Sequence, residues 1–448
     1  MTASPSRSTE PFAVPAGRVA RGRLAVPPSK SLTNRYLNLA LLAGAPATLE
    51  RPLEAEDTAA FLAALVACGF QVEKEEDEWR LTPGPLAAAA AIDCGASGTM
   101  LRFLTAALAA LPGNWRLDGV HRLRERPVGP LVAALRALGA RIRCGEREGY
   151  APLEIEGGTL GGGVTVLDAG TSSQFLSALL MAALRAPAEV SLEVTALTSE
   201  PYLDLTLAAI RRFGGRVEEA WSPGGPASRH TFLVHPSPLA ARRLRVEGDF
   251  SAACYLAAAA ALTGGEVVLV GLPRGSAQGD RAFFDLLERM GAAVEWGRGR
   301  VTVRGAPGGA LAAANADFAA MPDQVPTVAA LAPFARGTTR IRDVPHLRLK
   351  ESDRLRAMAG QLAAAGVPVE ERADGLTIPG VWADRPPADL PSAPVTIDPH
   401  GDHRIAMSMA LVGLRRPGLA IADPHVVAKS YPGFWRDLTA LLVAAQGN

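Results

Sequence analysis

One motif returns along this 448-residue chain at a nearly constant interval. An amphipathic stretch ends in glycine and runs into a β-like segment: FLAALVACGFQVE, LVAALRALGARIR, LTLAAIRRFGGRVE, FFDLLERMGAAVE and MAGQLAAAGVPVE. The glycines that end these stretches, Gly69, Gly139, Gly214, Gly291 and Gly366, are 70, 75, 77 and 75 residues apart. Glycine is the residue that lets a helix close on a left-handed backbone turn, so its fixed recurrence marks helix ends. A sixth, weaker helix, FWRDLTALLVAAQG, closes the chain. Self-similarity at a fixed period means one supersecondary unit repeated, and six copies is the economical reading.

A second series is interleaved with the first. Small or polar residues lead into an apolar helix at SKSLTNRYLNLALLAG, GASGTMLRFLTAALAAL, TSSQFLSALLMAAL, GDFSAACYLAAAAAL, PDQVPTVAALAPFA and GDHRIAMSMALVGL. Strand-like runs such as RLRVEG, EVVLVGL, RVTVRG, TRIRDV and GLTIPG fill the intervals. Each unit therefore reads as βαβαββ. The fold class expected is α/β (α+β), with two lobes of three units and a boundary near Glu247–Gly248. A capped helix start exposes N–H groups and a partial positive charge, so six of them, several beside Arg or Lys, favour a strongly anionic ligand.

The totals exclude other classes. Lys+Arg number 46 and Asp+Glu 45, and aromatics are 5%. That balance argues against a coat for nucleic acid or for an anionic membrane. Cys68, Cys94, Cys144 and Cys254 lie far apart, which excludes a disulfide framework or zinc site and reads as cytosolic. No apolar run reaches the roughly 18 residues of a membrane span, and the N-terminal stretch lacks a signal-peptide core. His400 and His403 flank Asp402 with no third ligand in view, so no metal is expected.

The basic residues are skewed: 42 are arginine and only Lys30, Lys74, Lys350 and Lys429 are lysine. Where arginine serves for generic charge, a retained lysine marks a place that needs a compact cation able to lose a proton. Lys74 sits in the acidic, solvated EKEEDEW; the others sit in PPSKS, RLKES and VAKSYP. Ser31 and Arg35, one helical turn apart, are placed to grip one anionic group. Arg122, Arg124 and Arg126 alternate and would point one way in an extended segment. The charge run RLKESDRLRAM reads mainly as a solvated helix start.

The ordered motifs PPSKSLTNR, GASGTMLR, RLRERPVGPL, TSSQFLSALL, SEPYLDLT, VEGDFSAACY, QGD, PDQVPT, LKESDRL, GDHRIAM and AKSYPGF resemble the EPSP synthase family of enolpyruvyl transferases, from about residue 20 to 437. The resemblance implies a two-lobed, inside-out α/β barrel with an active site between the lobes. One lobe would be 29–247, on the shikimate 3-phosphate side. The other would be 1–28 plus 248–448, with the catalytic carboxylates on the phosphoenolpyruvate side. It implies transfer of the enolpyruvyl group of phosphoenolpyruvate to the 5-hydroxyl of shikimate 3-phosphate, through a tetrahedral adduct, in the shikimate pathway to aromatic amino acids.

Carried over motif by motif, the resemblance makes Asp323, Glu351 and Lys30 catalytic. Shikimate 3-phosphate would meet Lys30, Ser31, Arg35, Ser172, Ser173, Gln174, Ser199, Tyr202, Asp323, His346 and Lys350. Phosphoenolpyruvate would meet Lys30, Gly98, Arg126, Gln174, Arg354, Arg404 and Lys429. No cofactor, nucleic-acid partner or membrane partner is implied, and a cytoplasmic monomer that is a glyphosate target is expected.

Two positions depart from the family pattern. Ala96 stands where the family has asparagine in its GN[AS]GT motif, so any contact from that side chain is lost. His346 stands where many members have asparagine, which would add a pH dependence to phosphate binding. The nearest rival, UDP-N-acetylglucosamine enolpyruvyl transferase, typically carries a cysteine that GVHRLRERPVG lacks. A non-catalytic anion-binding repeat would not need Glu351 beside Lys350, and an RNA-end-processing enzyme fits poorly with few aromatics and no net basicity.

Overall fold

The structure, a computed structural model, describes residues 10–222, 229–240 and 243–444. The chain divides into two compact units, Pro28–Glu247 and Met1–Pro27 with Gly248–Asn448. In each unit, helices that are apolar on every side cannot lie at a surface, and helices with one apolar stripe cannot be fully enclosed. The architecture follows from that difference.

In the Pro28–Glu247 unit the helices Lys30–Ala43, Gly98–Ala109 and Ser173–Ala183 are buried along almost their whole length and pack on one another. Glu56–Ala67, Gly129–Ala137 and Pro201–Arg212 bury only one face. Three four-stranded sheets accompany them. The pattern is plain in the second: Ala89–Asp93 runs parallel to Gly113–Asp118, which pairs antiparallel with Leu153–Gly157, itself paired with Arg141–Cys144. The third repeats this order with Gly163–Ala169, Val190–Leu197, Arg229–His235 and Arg216–Ser222. The first sheet takes its parallel strand from the far end of the unit, where Arg243–Arg245 lies beside Ala47–Glu50.

The other unit repeats the plan with Phe250–Thr263, Val325–Leu331 and His403–Arg415 as its enclosed, mutually packed helices. Alanine-rich sequence lets Phe250–Thr263 be approached closely from all sides, and twelve of its residues are buried. Its first sheet also borrows a distant strand: Arg18–Ala25 runs parallel to Glu266–Val270. The sixth unit departs from the βαβαββ expectation. Val395–Ile397 and Leu419–Ile421 form the parallel pair, but no C-terminal hairpin follows among the described residues. Phe12–Ala13 supplies the antiparallel neighbour instead, and Leu442–Ala444 joins the Arg18–Ala25 edge. Among the described residues, the N-terminal segment thus completes this sheet.

The five period-marking glycines all stand at positive φ, from 81° at Gly214 to 110° at Gly291. They do not stand in equal space. A Cβ on Gly139 would meet nothing within 4 Å, whereas one on Gly69 would collide with the Pro85 carbonyl oxygen. Gly139→Ala should therefore cost about 1 kcal/mol for the backbone conformation alone. Gly69→Ala should cost about 2 kcal/mol more, because backbone must also shift. Urea unfolding of both variants checks this, and equal losses would refute the steric part.

Candidate active site

In the Pro28–Glu247 unit the starts of the three enclosed helices are capped by serines. The Ser29, Ser97 and Ser172 hydroxyls accept from the Leu32, Met100 and Gln174 N–H groups at 3.4, 3.4 and 3.3 Å. A neutral cap satisfies one donor and leaves the positive helix end uncompensated. Around these ends lie two polar clusters. In one, Arg35 donates to Thr206 Oγ1 at 2.8 Å and to the Ser31 and Tyr202 carbonyls, both at 3.0 Å. Burial pushes this guanidinium down to about 10, still protonated at neutral pH. Lys30, half-buried, lies 3.1 Å from Asp57 Oδ2. Ser199, buried at φ 56°, sets the turn into the Pro201–Arg212 helix.

In the other cluster, Gln174 accepts from Arg102 at 2.6 Å and donates to Thr99 Oγ1 at 3.0 Å. Arg126 donates to the Ala96 carbonyl at 3.3 Å, and a Cβ on Gly98 would lie 2.5 Å from the Arg126 guanidinium carbon. A side chain at this position would displace the Arg126 guanidinium from where it lies. The expected common direction of Arg122, Arg124 and Arg126 is not found, because His121–Arg124 is a helical turn rather than extended. Arg122 pairs with Glu125 at 2.6 Å, Arg124 with Asp118 at 2.7 Å, and only Arg126 is buried.

The second unit holds a charge network centred on Arg354. Its Nη1 donates to Asp323 at 2.8 Å, its Nη2 to Glu351 at 2.8 Å and its Nε to Asp402 at 2.8 Å. Arg404 donates to the second Asp323 oxygen at 2.7 Å and to the Tyr255 hydroxyl at 3.3 Å. Lys429 Nζ stands 3.7 Å from the second Glu351 oxygen. The side chains of Arg354 and Asp402 are 2% and 0% exposed, against 13% for Glu351 and 20% for Asp323. Burial disfavours the Arg354 cation, but Asp402, Glu351 and Asp323 together outweigh it and hold its pKa above the ordinary value.

The charge run therefore splits. Arg348 behaves as a solvated helix-start charge, 2.9 Å from Asp353 and 2.6 Å from Glu371, but Arg354 is enclosed. Lys74 is exposed beside Glu54 and over the Trp79 ring, as its acidic context indicates. The sequence reading missed Asp402, which both caps His403–Arg415 and anchors Arg354. It also missed Arg102 and Thr99, the partners of Gln174. The Ser/Asp–helix-start pattern was the signal for Asp402; nothing local marks Arg102.

His346 is buried, and in the ligand-free protein its imidazole is held neutral at neutral pH. Burial, then the Lys350 charge, push the imidazole down to about 3, with Asp323 opposing. The unfolded chain takes this proton near 6.5, so between the two values the unfolded state binds more protons and stability falls as pH falls. His346→Asn should make the melting temperature decline less steeply between pH 6.5 and 4. Parallel declines in the two proteins would contradict a neutral, buried His346.

Residues 15–438 match the family described as EPSP synthase (3-phosphoshikimate 1-carboxyvinyltransferase). A protein of that name from Syntrophobacter fumaroxidans is 44% identical over 434 residues, covering 94% of this chain and 97% of the relative. One from Methanoculleus marisnigri is 42% identical over 418 residues, covering 92% and 94%. A solved EPSP synthase structure from Acinetobacter baumannii matches with a TM-score of 0.77 at 28% identity, over 97% of this chain and 99% of that one. The chain belongs to the EPSP synthase family.

Proposed function

We propose that this chain transfers the enolpyruvyl group of phosphoenolpyruvate to the 5-hydroxyl of shikimate 3-phosphate, using Asp323 and Glu351 as acid/base groups. The observation that supports this most is one arginine, Arg354, holding both carboxylates at their partly exposed ends within a cluster of three anions and three cations. Such a cluster is balanced before any ligand arrives. A donor bearing phosphate and carboxylate competes for Arg354, Arg404 and Lys429, and the added negative charge raises the proton affinity of a displaced carboxylate. Glu351 then suits delivery of a proton to C3 of phosphoenolpyruvate while Asp323 takes the proton of the attacking 5-hydroxyl. In the elimination Glu351 recovers a proton from the new methyl group, and the proton on Asp323 leaves with phosphate.

The acceptor's phosphate and hydroxyls go to the serine-capped helix starts with Ser172, Ser173, Gln174, Ser199 and Tyr202. Arg35 supplies fixed charge behind them, and Ser31 and Lys30 stand at the start of its helix. Gly98 and Arg126 receive the donor, and Lys350 and His346 flank the carboxylates, His346 as a neutral hydrogen-bonding group. The seven cations in these roles stand against the two phosphates and two carboxylates of the reactants. No helix among the described residues is long and apolar enough to cross a membrane. We propose a cytoplasmic monomer acting without a cofactor.

Phosphate release with phosphoenolpyruvate and shikimate 3-phosphate tests the assignment, with UDP-N-acetylglucosamine as the alternative acceptor. Release should require shikimate 3-phosphate. Asp323→Asn and Glu351→Gln should each lower kcat by about 10²-fold or more with acceptor binding little changed, as for lost proton transfer. Ser172→Ala should mainly weaken acceptor binding. Lys30→Arg should lose most turnover while Lys74→Arg keeps it. Intact kcat in both carboxylate variants would overturn the acid/base roles.

A further inference from the structure

The Met1–Pro27/Gly248–Asn448 unit holds a cavity of about 1110 Å³ that belongs to none of the roles above. It lies at the far ends of two enclosed helices, where Thr263 closes Phe250–Thr263 and Leu414 and Arg415 close His403–Arg415. Arg404 is the second residue of the latter helix, so Arg415 stands roughly 16 Å further along it at 1.5 Å per residue. The cavity is therefore separate from the cluster around Arg354.

Its lining carries five arginines, Arg18, Arg21, Arg336, Arg385 and Arg415, against one carboxylate, Asp384. The chain as a whole has a net charge of +1, so this excess is local. Asp384 is already taken, since Arg336 pairs with it at 2.7 Å. Arg18, Arg21 and Arg385 are exposed, and among the described residues their side chains make no ion pair or hydrogen bond. Arg415 is the deepest of the five, at 9% exposed. It donates to the Leu262, Gly308 and Arg385 carbonyls at 3.1, 3.0 and 2.9 Å and lies over the Phe334 ring. Its buried Nε has no partner among the described residues.

The contrast with Arg354 is informative. Both guanidiniums are buried, but Arg354 has three carboxylates and Arg415 has carbonyls alone. Burial lowers the Arg415 pKa, and no neighbouring anion opposes it. A buried charge without a counter-ion is costly, and an anion held in the cavity supplies one. The two helix ends oppose such an anion only weakly. Each brings roughly half a negative charge confined to its last turn, against the four arginines that Asp384 leaves unmatched.

We propose that this cavity is a second anion site, which binds a small phosphate monoester carrying a compact apolar ring. Guanidinium forks match phosphate oxygens in pairs, and a monoester supplies close to two negative charges where a carboxylate supplies one. Arg18, Arg21 and Arg385 meet these oxygens, and Arg415 provides fixed charge behind them. A bare ion leaves most of the space empty, because cavities of ~300–1,000 Å³ hold whole small molecules. Val19, Leu414, Pro386 and Pro387 give the ring an apolar wall.

Calorimetric titration of phenyl phosphate into the full chain at pH 8, with phenol as the uncharged control, tests this. Phenyl phosphate should bind and phenol should not. The exposed pair Arg18→Gln/Arg385→Gln should weaken binding about tenfold or more, as for two lost charge-assisted hydrogen bonds. Its kcat and its KM for phosphoenolpyruvate should match the wild type, which shows the fold intact. Unchanged affinity in that variant overturns the proposal, as does equal binding of phenol or no binding of phenyl phosphate to the wild type. Arg404→Gln locates the anion. Binding should persist there, whereas its loss places the phosphate on the Arg404 cluster and overturns the proposal. Lys429→Gln carries this arm should Arg404→Gln fold poorly.

Discussion

A buried guanidinium surrounded by three carboxylates is the constraint on which the chemistry of the Met1–Pro27/Gly248–Asn448 unit depends. Enclosing Arg354 carries a large desolvation cost that is offset only if each anion keeps its geometry. Removing one partner of such a buried set leaves an uncompensated charge, at a cost of about 3–5 kcal/mol. The network therefore holds Asp323 and Glu351 firmly even though their outer oxygens approach solvent. Rigid placement is what the acid/base roles proposed for these two groups would require. Asp402, wholly buried, contributes by accepting from both Nε and Nη2 of Arg354.

The two units treat the ends of their enclosed helices differently. Serine caps all three in Pro28–Glu247, whereas Asp249 and Asp402 cap two of the three in the other unit. An aspartate cap cancels part of the helix-end charge; a serine cap does not. The phosphorylated acceptor of the proposed reaction would find uncancelled positive ends in the first unit. In the second, the aspartates offset part of the helix-end field at two of the three starts, and the proposed donor would be met by buried side-chain cations, Arg404 and Lys429 among them.

The period was legible because each glycine stands where L-residues are strained, so local chemistry and fold demanded the same residue. The enclosed helices were legible for a similar reason, as apolar residues on every face leave few alternatives. What stayed hidden was long-range. Arg354 looked like one charge in a solvated run because two of its three partners, Asp323 and Asp402, are far away in sequence. Arg126 was singled out for its alternation with Arg122 and Arg124, but it is set apart by lying close over Gly98 and bonding the Ala96 carbonyl. The missing sixth hairpin was equally invisible, since its replacement, Phe12–Ala13, comes from the opposite end of the chain.

The borrowed strand has a consequence for biosynthesis. Arg18–Ala25 leaves the ribosome early, but its parallel partner Glu266–Val270 emerges only after the whole of Pro28–Glu247. At about 5–20 residues per second the strand waits unpaired for roughly 10–50 s, while the intervening unit has everything it needs to fold. An exposed strand edge held open that long is a template for aggregation. The segment, RVARGRLA, carries arginine at positions 18, 21 and 23 and a glycine at 22. Its charge repels a second nascent copy and its glycine weakens premature pairing, so a strand that must wait this long is also poorly suited to the wrong partner.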